Sequence, residues 1–301
     1  MIYDCAIIGG GPAGQNAALV LGRARRSVAL LDNNQPRNAV THASHGYLTR
    51  DGITPSEFRR IASEQLKSYP SVEEHVVRVT DIRKLDGGFE VFMESGHSIR
   101  SRKLLIATGL KEILPDIPGV KEMYGTSLFH CPYCDGWELR DQPLILMGDD
   151  SKVYHLAKLL YQWSRDLVVC TQGQAVLSDE QKRVLADRHI QVTEQTIAAF
   201  HGSGGQLREV EFTDGSRIAR TGGFIMPERV TQTSFRESLG YEPTELGGIR
   251  TDETGKSSVP GLFAAGEAAP GAPSQLIVAA AQGSLAAVSI NVELMEEDFG
   301  V

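Results

Sequence analysis

Two cysteines three positions apart, Cys131 and Cys134 in "GTSLFHCPYCDGWELRD", are the residues of this chain best suited by type and spacing to do chemistry. Such a pair can close a structural bridge, supply half of a metal site or carry two electrons as dithiol and disulfide. Zinc would need a second pair, or two histidines at ligand spacing, and the sequence has neither. The remaining cysteines, Cys5 in "YDCAIIG" and Cys170 in "DLVVC", lie in apolar runs that read as buried strands, where free cysteine acts as a small apolar residue. Four cysteines in 301 residues do not make a disulfide framework. A redox pair without a metal is what remains. The nucleophile in disulfide exchange is a thiolate, favoured by a helix start or a Cys-x-x-Cys neighbour. Pro132 has no amide hydrogen and suits a first helical turn, so Cys131 is expected at the cap with its sulfur towards the free amides.

A redox pair needs a source or sink of electrons, and the N-terminus offers a holder for one. "MIYDCAIIGGGPAGQNAALVLGRARRSVALLDNN" reads as strand, glycine turn, helix, strand, the order of a parallel βαβ unit. Gly9-x-Gly11-x-x-Gly14 falls at the strand-to-helix junction, with Pro12 and Ala13 between its last two glycines and Asp32 closing the second strand. Gly9 and Gly11 permit a tight turn and close approach of a pyrophosphate, Gly14 lets helix and strand pack, and Asp32 can accept ribose hydroxyls. A helix is expected over "TPSEFRRIASEQLKSY", capped by Thr54 with Glu57 at capping-box spacing. The runs "HVVRVTDIRKL", "GFEVFME" and "HSIRSRKLLIATG" then suggest a β-meander returning to the sheet at Ala107-Thr108-Gly109.

Two prolines and a glycine in "KEILPDIPGV" mark a domain crossing. Beyond it "QPLILMGDDSKVYHLAKLLYQWSRDLVVCTQ" repeats the first rhythm after an interval of roughly 140 residues. "GLFAAGEAAPGAPSQ" and the small-residue helix "LIVAAAQGSLAAVSINVELM" return the chain to where it began. The expected fold is α/β with two Rossmann-like dinucleotide-binding domains: residues 1–114 and 243–301 as one, and residues 115–242, with the cysteines, inserted in it. Composition agrees with two ordered domains, at 41% apolar and 23% charged residues. A net charge of −8 lacks the basic surface a nucleic-acid binder needs, which excludes that class of partner. The apolar stretches read as strand-length or broken by glycine, and no signal peptide is evident; the expectation is a soluble cytoplasmic protein with no membrane span.

Four motifs in order, Gly9-Gly10-Gly11-Pro12-Ala13-Gly14, Ala107-Thr108-Gly109, Cys131-Pro132-Tyr133-Cys134-Asp135-Gly136 and Gly261-Leu262-Phe263-Ala264-Ala265-Gly266, resemble the low-molecular-weight thioredoxin reductase family of flavoproteins. The resemblance covers nearly the whole chain. It implies FAD in the first domain, held around these glycines and Asp32, with Val79 near the adenine, Gly266 and Glu267 near the ribityl chain, and Gln275 and Leu276 near the flavin ring. Glu267 replaces the family's usual aspartate; its extra methylene still allows a bond to the ribityl chain. The resemblance further makes Cys131 the outer sulfur that exchanges with substrate, Cys134 the inner one facing the flavin, and Asp135 the acid/base that moves the thiol proton. It implies a homodimer, and a thioredoxin-like protein or a small dithiol or disulfide as partner.

The chain departs from that family at the second dinucleotide turn, which reads Gly148-Asp149-Asp150-Ser151-Lys152-Val153 and keeps only the first glycine. A carboxylate about 4 Å from a phosphate at an effective dielectric of 20 costs about 4 kcal/mol, on the order of a thousandfold in affinity. The strand that follows ends in "VVCTQGQAVLS", with no arginine for a 2′-phosphate before Arg183. Both departures point to a domain that does not use NADPH productively. The segment "THASHGYLTRDG" is also unlike the family's flavin-contacting loop, and His42, His45 and His130 are candidate proton carriers beside the sulfurs. His45 ranks first because Gly46 beside it permits close backbone approach to a flat ring. The expected function is an FAD-dependent thiol/disulfide oxidoreductase without direct use of NADPH. The alternatives are a disulfide reductase fed by another donor such as ferredoxin, a dithiol oxidase like the gliotoxin- and holomycin-type enzymes that hands electrons to oxygen, an ordinary NADPH-dependent thioredoxin reductase, and a non-catalytic redox sensor.

Overall fold

The unbroken apolar run at residues 5–8 can be buried on both sides only inside a covered sheet, and it forms the middle of one. The computed structural model describes residues 2–231, 235–269, 271 and 273–300. The chain opens with β1 (Ile2–Ile8), α1 (Pro12–Arg23), β2 (Val28–Asp32), α2 (Pro55–Leu66) and β3 (Val72–Val76). A meander of β4 (Val79–Leu85), β5 (Gly88–Met93) and β6 (Ser98–Ile106) follows, and the chain leaves on β7 (Leu110–Ile113). Strand order is β3-β2-β1-β6-β5-β4, parallel from β3 to β6 and antiparallel through the meander. "HVVRVTDIRKL" is therefore two strands: its start ends β3, and the rest is β4. Side chains alternate across this sheet. Ile8, Leu31 and Ile106 join one buried cluster, while Ile7, Leu30 and Leu105 join another with α1 residues.

The second stretch holds α3 (Val120–Met123), β8 (Leu128–Phe129), α4 (Pro132–Asp135), β9 (Leu144–Met147), α5 (Lys152–Leu160) and β10 (Leu167–Cys170). It continues with α6 (Asp179–Ala186), β11 (Gln191–Thr193), β12 (Ile197–Ser203), β13 (Gln206–Phe212), β14 (Arg217–Ala219) and β15 (Gly222–Ile225). A parallel sheet in the order β11-β10-β9-β15-β8 confirms the second βαβ rhythm, and β12-β13-β14 add a separate antiparallel sheet. The chain returns on β16 (Glu228–Thr231), which pairs with β7, and ends with α7 (Arg236–Leu239), β17 (Leu262–Ala264) and α8 (Leu276–Phe299). β17 joins the first sheet parallel to β6.

Contacts divide the chain into two units, one of Met1–Ala39, Gly46–Lys111 and Arg229–Val301, the other of Val40–His45 and Glu112–Glu228. Both main boundaries fall in the β7/β16 ribbon, three and fourteen residues before the sequence-based boundaries at 114/115 and 242/243, which corrects the second: the α7 region, with Phe235, Leu239 and Tyr241, packs in the core of the first unit. The short segment Val40–His45, which carries His45 into the second unit, has no counterpart in the sequence-based division. Among the described residues one helix, α8, is by length and composition apolar enough to cross a membrane. Here it packs on α1 in the first unit: a Cβ at Gly283 would lie 2.0 Å from the Ala13 carbonyl oxygen, and Asn16 Nδ2 donates to Ala280 O at 2.9 Å. Gly283 does not break the helix; it allows the close crossing.

Candidate functional site: a dinucleotide cradle and a redox-active disulfide

Register brings Ile8 level with Leu31 and Ile106, so the loops after β1, β2 and β6 open at one end of the first sheet, where α/β folds place ligands. Gly9 has φ +109, and a Cβ there would lie 2.3 Å from Ala107 O; at Gly14 it would lie 1.8 Å from Gly9 O. The fold itself requires these two glycines. Gly11 is different: its backbone is extended, and nothing lies within 4 Å of a Cβ built on it. It caps α1 without a side-chain bond, and no acidic residue stands in the first turn, so the helix amides face open space suited to a diphosphate. Asp32 accepts the amide of Gly10 at 2.9 Å and that of Asn34 at 3.1 Å, and pairs with Arg59. Arg59 also donates to Gly10 O at 2.8 Å, which fixes the turn from the α2 side.

The other residues read from sequence gather around this end. A Cβ at Gly266 would touch that of Ala13 at 3.2 Å. Glu267 is held by Arg37, with Nη2 donating to Oε1 at 2.8 Å, and its Oε2 lies 3.8 Å from the Cβ position of Gly109. Gln275 caps α8 with no side-chain bond, so Gln275 and Leu276 stand at a second open helix start. Val79 begins β4 just after the Val77 amide bonds Asp32 O at 2.8 Å, and Thr108 follows Ala107. The arrangement fits a bound dinucleotide. Gly11→Val is expected to fold normally, because its backbone and surroundings accept a side chain, yet to purify colourless, having lost at least about 90% of its flavin by blocking the diphosphate. Absorbance at 450 nm per mole of protein, read beside the melting temperature, checks this; wild-type flavin content overturns it.

In the second unit Cys131 and Cys134 form a disulfide with Cα atoms 5.3 Å apart. Cys131 caps α4 and Pro132 takes its first turn, as the sequence implies, but the sulfur makes no capping bond. The amides of Cys134 and Asp135 turn instead to the Cys131 carbonyl, at 3.1 and 3.2 Å. The four-residue helix turns these two amides to its own backbone, and in the disulfide form the Cys131 sulfur makes no bond to them. Gly136 keeps α4 close to the ring of Trp163, 2.8 Å from a hypothetical Cβ. Tyr133 and Trp137 stand exposed beside the pair.

Asp135 is the acid of this unit whose pKa is raised. Burial, and then the carboxylate of Glu138, push its pKa up to about 7, against a lowering by His45. His45 Nε2 lies 3.5 Å from Glu138 Oε1, so His45 reaches the acid through segment 40–45. A carboxyl that titrates near neutrality can both give and take a proton there. His42 makes an ordinary contact with Thr126 Oγ1 at 3.3 Å. Cys5 and Cys170 are buried, and burial raises both thiols, as suits structural cysteines.

The second dinucleotide turn is built differently from the first. Asp150 Oδ1 accepts the Lys152 amide at 2.8 Å, putting a carboxylate at the start of α5, and Lys152 Nζ turns back to Asp150 Oδ2 at 3.5 Å. At the end of β10 Gln172 is tied inward: Nε2 donates to Met147 Sδ at 2.7 Å, and Oε1 accepts the Ile197 amide at 2.9 Å.

The model of the pyridine nucleotide-disulphide oxidoreductase family matches residues 3–283. This chain belongs to that family. Within the family it is similar to a putative thioredoxin reductase TrxB from Bacillus anthracis, with 46% identity, TM-score 0.94, and coverage of 98% of this chain and 99% of that one. It is also similar to HlmI, with 38% identity, TM-score 0.93, and coverage of 99% and 94%. A probable thioredoxin reductase from Arthroderma benhamiae is 31% identical over 98% of this chain and 81% of its own length. The member described here is thus an FAD-dependent, thioredoxin reductase-like disulfide oxidoreductase with two dinucleotide-binding folds. Sequence reasoning missed Arg37, Arg59, Glu138 and Gln172. Only Glu138 left a signal, three residues after Asp135 on the same turn.

Proposed function

We propose that this oxidoreductase passes electron pairs between an external dithiol or disulfide and FAD through Cys131 and Cys134, without drawing on NADPH. The observation that carries the second half is Asp150, whose carboxylate already accepts the α5 amide that a phosphate would need. FAD, when bound, accepts and returns the electron pair. Gly11 and the first turn of α1 would hold its diphosphate, Asp32 the adenosine ribose, Glu267 the ribityl chain, and the start of α8 the ring. The two units, Met1–Ala39 with Gly46–Lys111 and Arg229–Val301, and Val40–His45 with Glu112–Glu228, are proposed as the working domains.

In the exchange, the Cys131 thiolate attacks one sulfur of the partner disulfide, and the partner's second sulfur leaves as a thiolate and takes a proton. Cys134 then attacks the Cys131 sulfur, which releases the reduced partner and closes the pair; a dithiol substrate runs the same steps backwards. Asp135 takes the proton as a thiol ionises and returns it to the departing sulfur, and His45 faces it as a second carrier. The partner is a thioredoxin-like protein or a small dithiol, the remaining electron partner is oxygen or ferredoxin, and turnover with any dithiol or disulfide separates an enzyme from a non-catalytic sensor. Exposed apolar residues along α8, Leu285, Val288, Val292 and Met295, support the proposed homodimer, which sedimentation reads directly.

With Asp135 as the acid/base, the exchange rate should turn over near pH 7, and Asp135→Asn should slow it by ~100- to 10,000-fold. The same group gives a stability signature. Its folded pKa lies above the ordinary aspartate value, so the ionised form opposes folding, not at all below about pH 4 and fully above about pH 7. Asp135→Asn should melt higher than the parent at pH 8 and alike at pH 4. A parent rate that is flat from pH 5 to 9 removes Asp135 from the mechanism.

A further inference from the structure

Glu267 stands where the family usually has aspartate, and the fold gives its longer side chain a partner from a distant part of the first unit. It lies in the short turn Gly266–Ala268 after β17, held to α8 by the Gly266 amide, which donates to Gln282 Oε1 at 3.0 Å. Arg37 opens a similar turn, Arg37–Val40, after β2. Its guanidinium meets the carboxylate with two donors, Nη2 to Oε1 at 2.8 Å and Nε to Oε2 at 3.3 Å. The two side chains are only 23% and 19% exposed. A carboxylate so far out of water needs a pairing charge, and a planar fork fixes its direction as well. Gly266 packs against Ala13 in the first turn of α1, so the pair stands beside the proposed diphosphate site. An unpaired carboxylate there would repel that anion.

We propose that Arg37 is a positioning residue for FAD: it neutralises and aims the Glu267 carboxylate, so that arginine and glutamate act as a matched pair on the flavin half of the cofactor. A carboxylate has about four acceptor sites, and the fork leaves some of them for ribityl hydroxyls. Aspartate is one methylene shorter and, on the same backbone, would draw the carboxylate back from the guanidinium. The residue usual in the family is therefore the poorer one in this chain. The proposal rests on Glu267 facing the ribityl chain. It adds no transfer of electrons or protons: Arg37 sets how tightly the flavin is held.

The test uses the full-length FAD-loaded protein, diluted until flavin is released, and reads Kd from the fluorescence of free FAD. ADP carries the adenosine and diphosphate but no ribityl chain, so it serves as second probe, its affinity read from the FAD it displaces. Arg37→Met should weaken FAD by about tenfold or more, the loss of a charged pair of bonds, and leave ADP within about twofold. Arg37→Lys, a point charge without the fork, should keep part of the affinity. Glu267→Asp should weaken FAD several-fold in the parent yet add little to Arg37→Met, where the pair is already broken. Unchanged FAD affinity in Arg37→Met overturns the proposal. So does an equal loss of ADP and FAD, which would make Arg37 a brace for the whole cradle. Losses that multiply in the double variant overturn the route through Glu267. Should Arg37→Met not fold, Arg37→Lys and Glu267→Asp with ADP as control decide the same question. Failure of the FAD assignment itself would show separately, as a parent protein that carries no flavin, and would take the proposal with it.

Discussion

NADPH mixed with the protein under nitrogen is expected to leave the flavin yellow for minutes, whereas dithiothreitol bleaches it within seconds. The first half follows from the two turns. At Gly11 the start of α1 is open and free of acidic residues, while at α5 the Asp150 carboxylate occupies the equivalent place. A phosphate must displace that carboxylate and then lie beside it, and two like charges about 4 Å apart at an effective dielectric of 20 cost about 4 kcal/mol, close to a thousandfold in affinity. Lys152 offers little relief, since its ammonium is turned to Asp150. Further along, Gln172 faces inward on two bonds, and after β10 the sequence has no arginine for a 2′-phosphate before Arg183. Asp150→Gly should therefore recover only part of the response, and adding Gln172→Arg somewhat more. Anaerobic stopped-flow at 450 nm decides the matter. Saturable bleaching by micromolar NADPH at a catalytic rate would restore an ordinary thioredoxin reductase. Admitting air to the dithiol-reduced protein then reports direction: rapid return of colour with peroxide supports a dithiol oxidase, and slow return supports a reductase with a separate donor.

The two turns also mark how far the sequence could be read. Glycine positions, the β-meander and the repeated βαβ rhythm were legible because each is local: a tight turn at Gly9 or a buried run at residues 5–8 needs no distant partner to be recognised. The redox pair was legible by spacing. What stayed hidden depends on groups brought together by the fold. Arg37 meets Glu267 from 230 positions away, and Arg59 meets Asp32 from another helix, so neither pairing leaves a periodic trace. His45 could be nominated from its loop, but its approach to Asp135 and Glu138 depends on segment 40–45 joining the second unit. At Cys131 the cap and the proline were legible, but not a helix so short that the Cys131 carbonyl takes the amides of Cys134 and Asp135.

Replacing either cysteine with serine should stop turnover, lowering it by at least about a thousandfold, because serine cannot form the disulfide on which both half-reactions depend. The two variants should nevertheless fail differently, and the difference assigns the sulfurs. If Cys131 meets the partner, the reduced Cys134→Ser protein still attacks a small disulfide such as cystamine. It then halts as a mixed disulfide, since no second thiol remains to release it. Intact mass should show one adduct on Cys131, stable until a thiol is added. The Cys131→Ser protein keeps only the inner thiol and should form that adduct at least about tenfold more slowly, with Cys5 and Cys170 too deeply buried to substitute. Asp135 remains in place in both, so the contrast reports the position of the sulfur and not the loss of its proton carrier. Equal adduct rates for the two variants would mean that both sulfurs are open to the partner. Faster labelling of Cys134 would reverse the roles, making Cys134 the sulfur that meets the substrate.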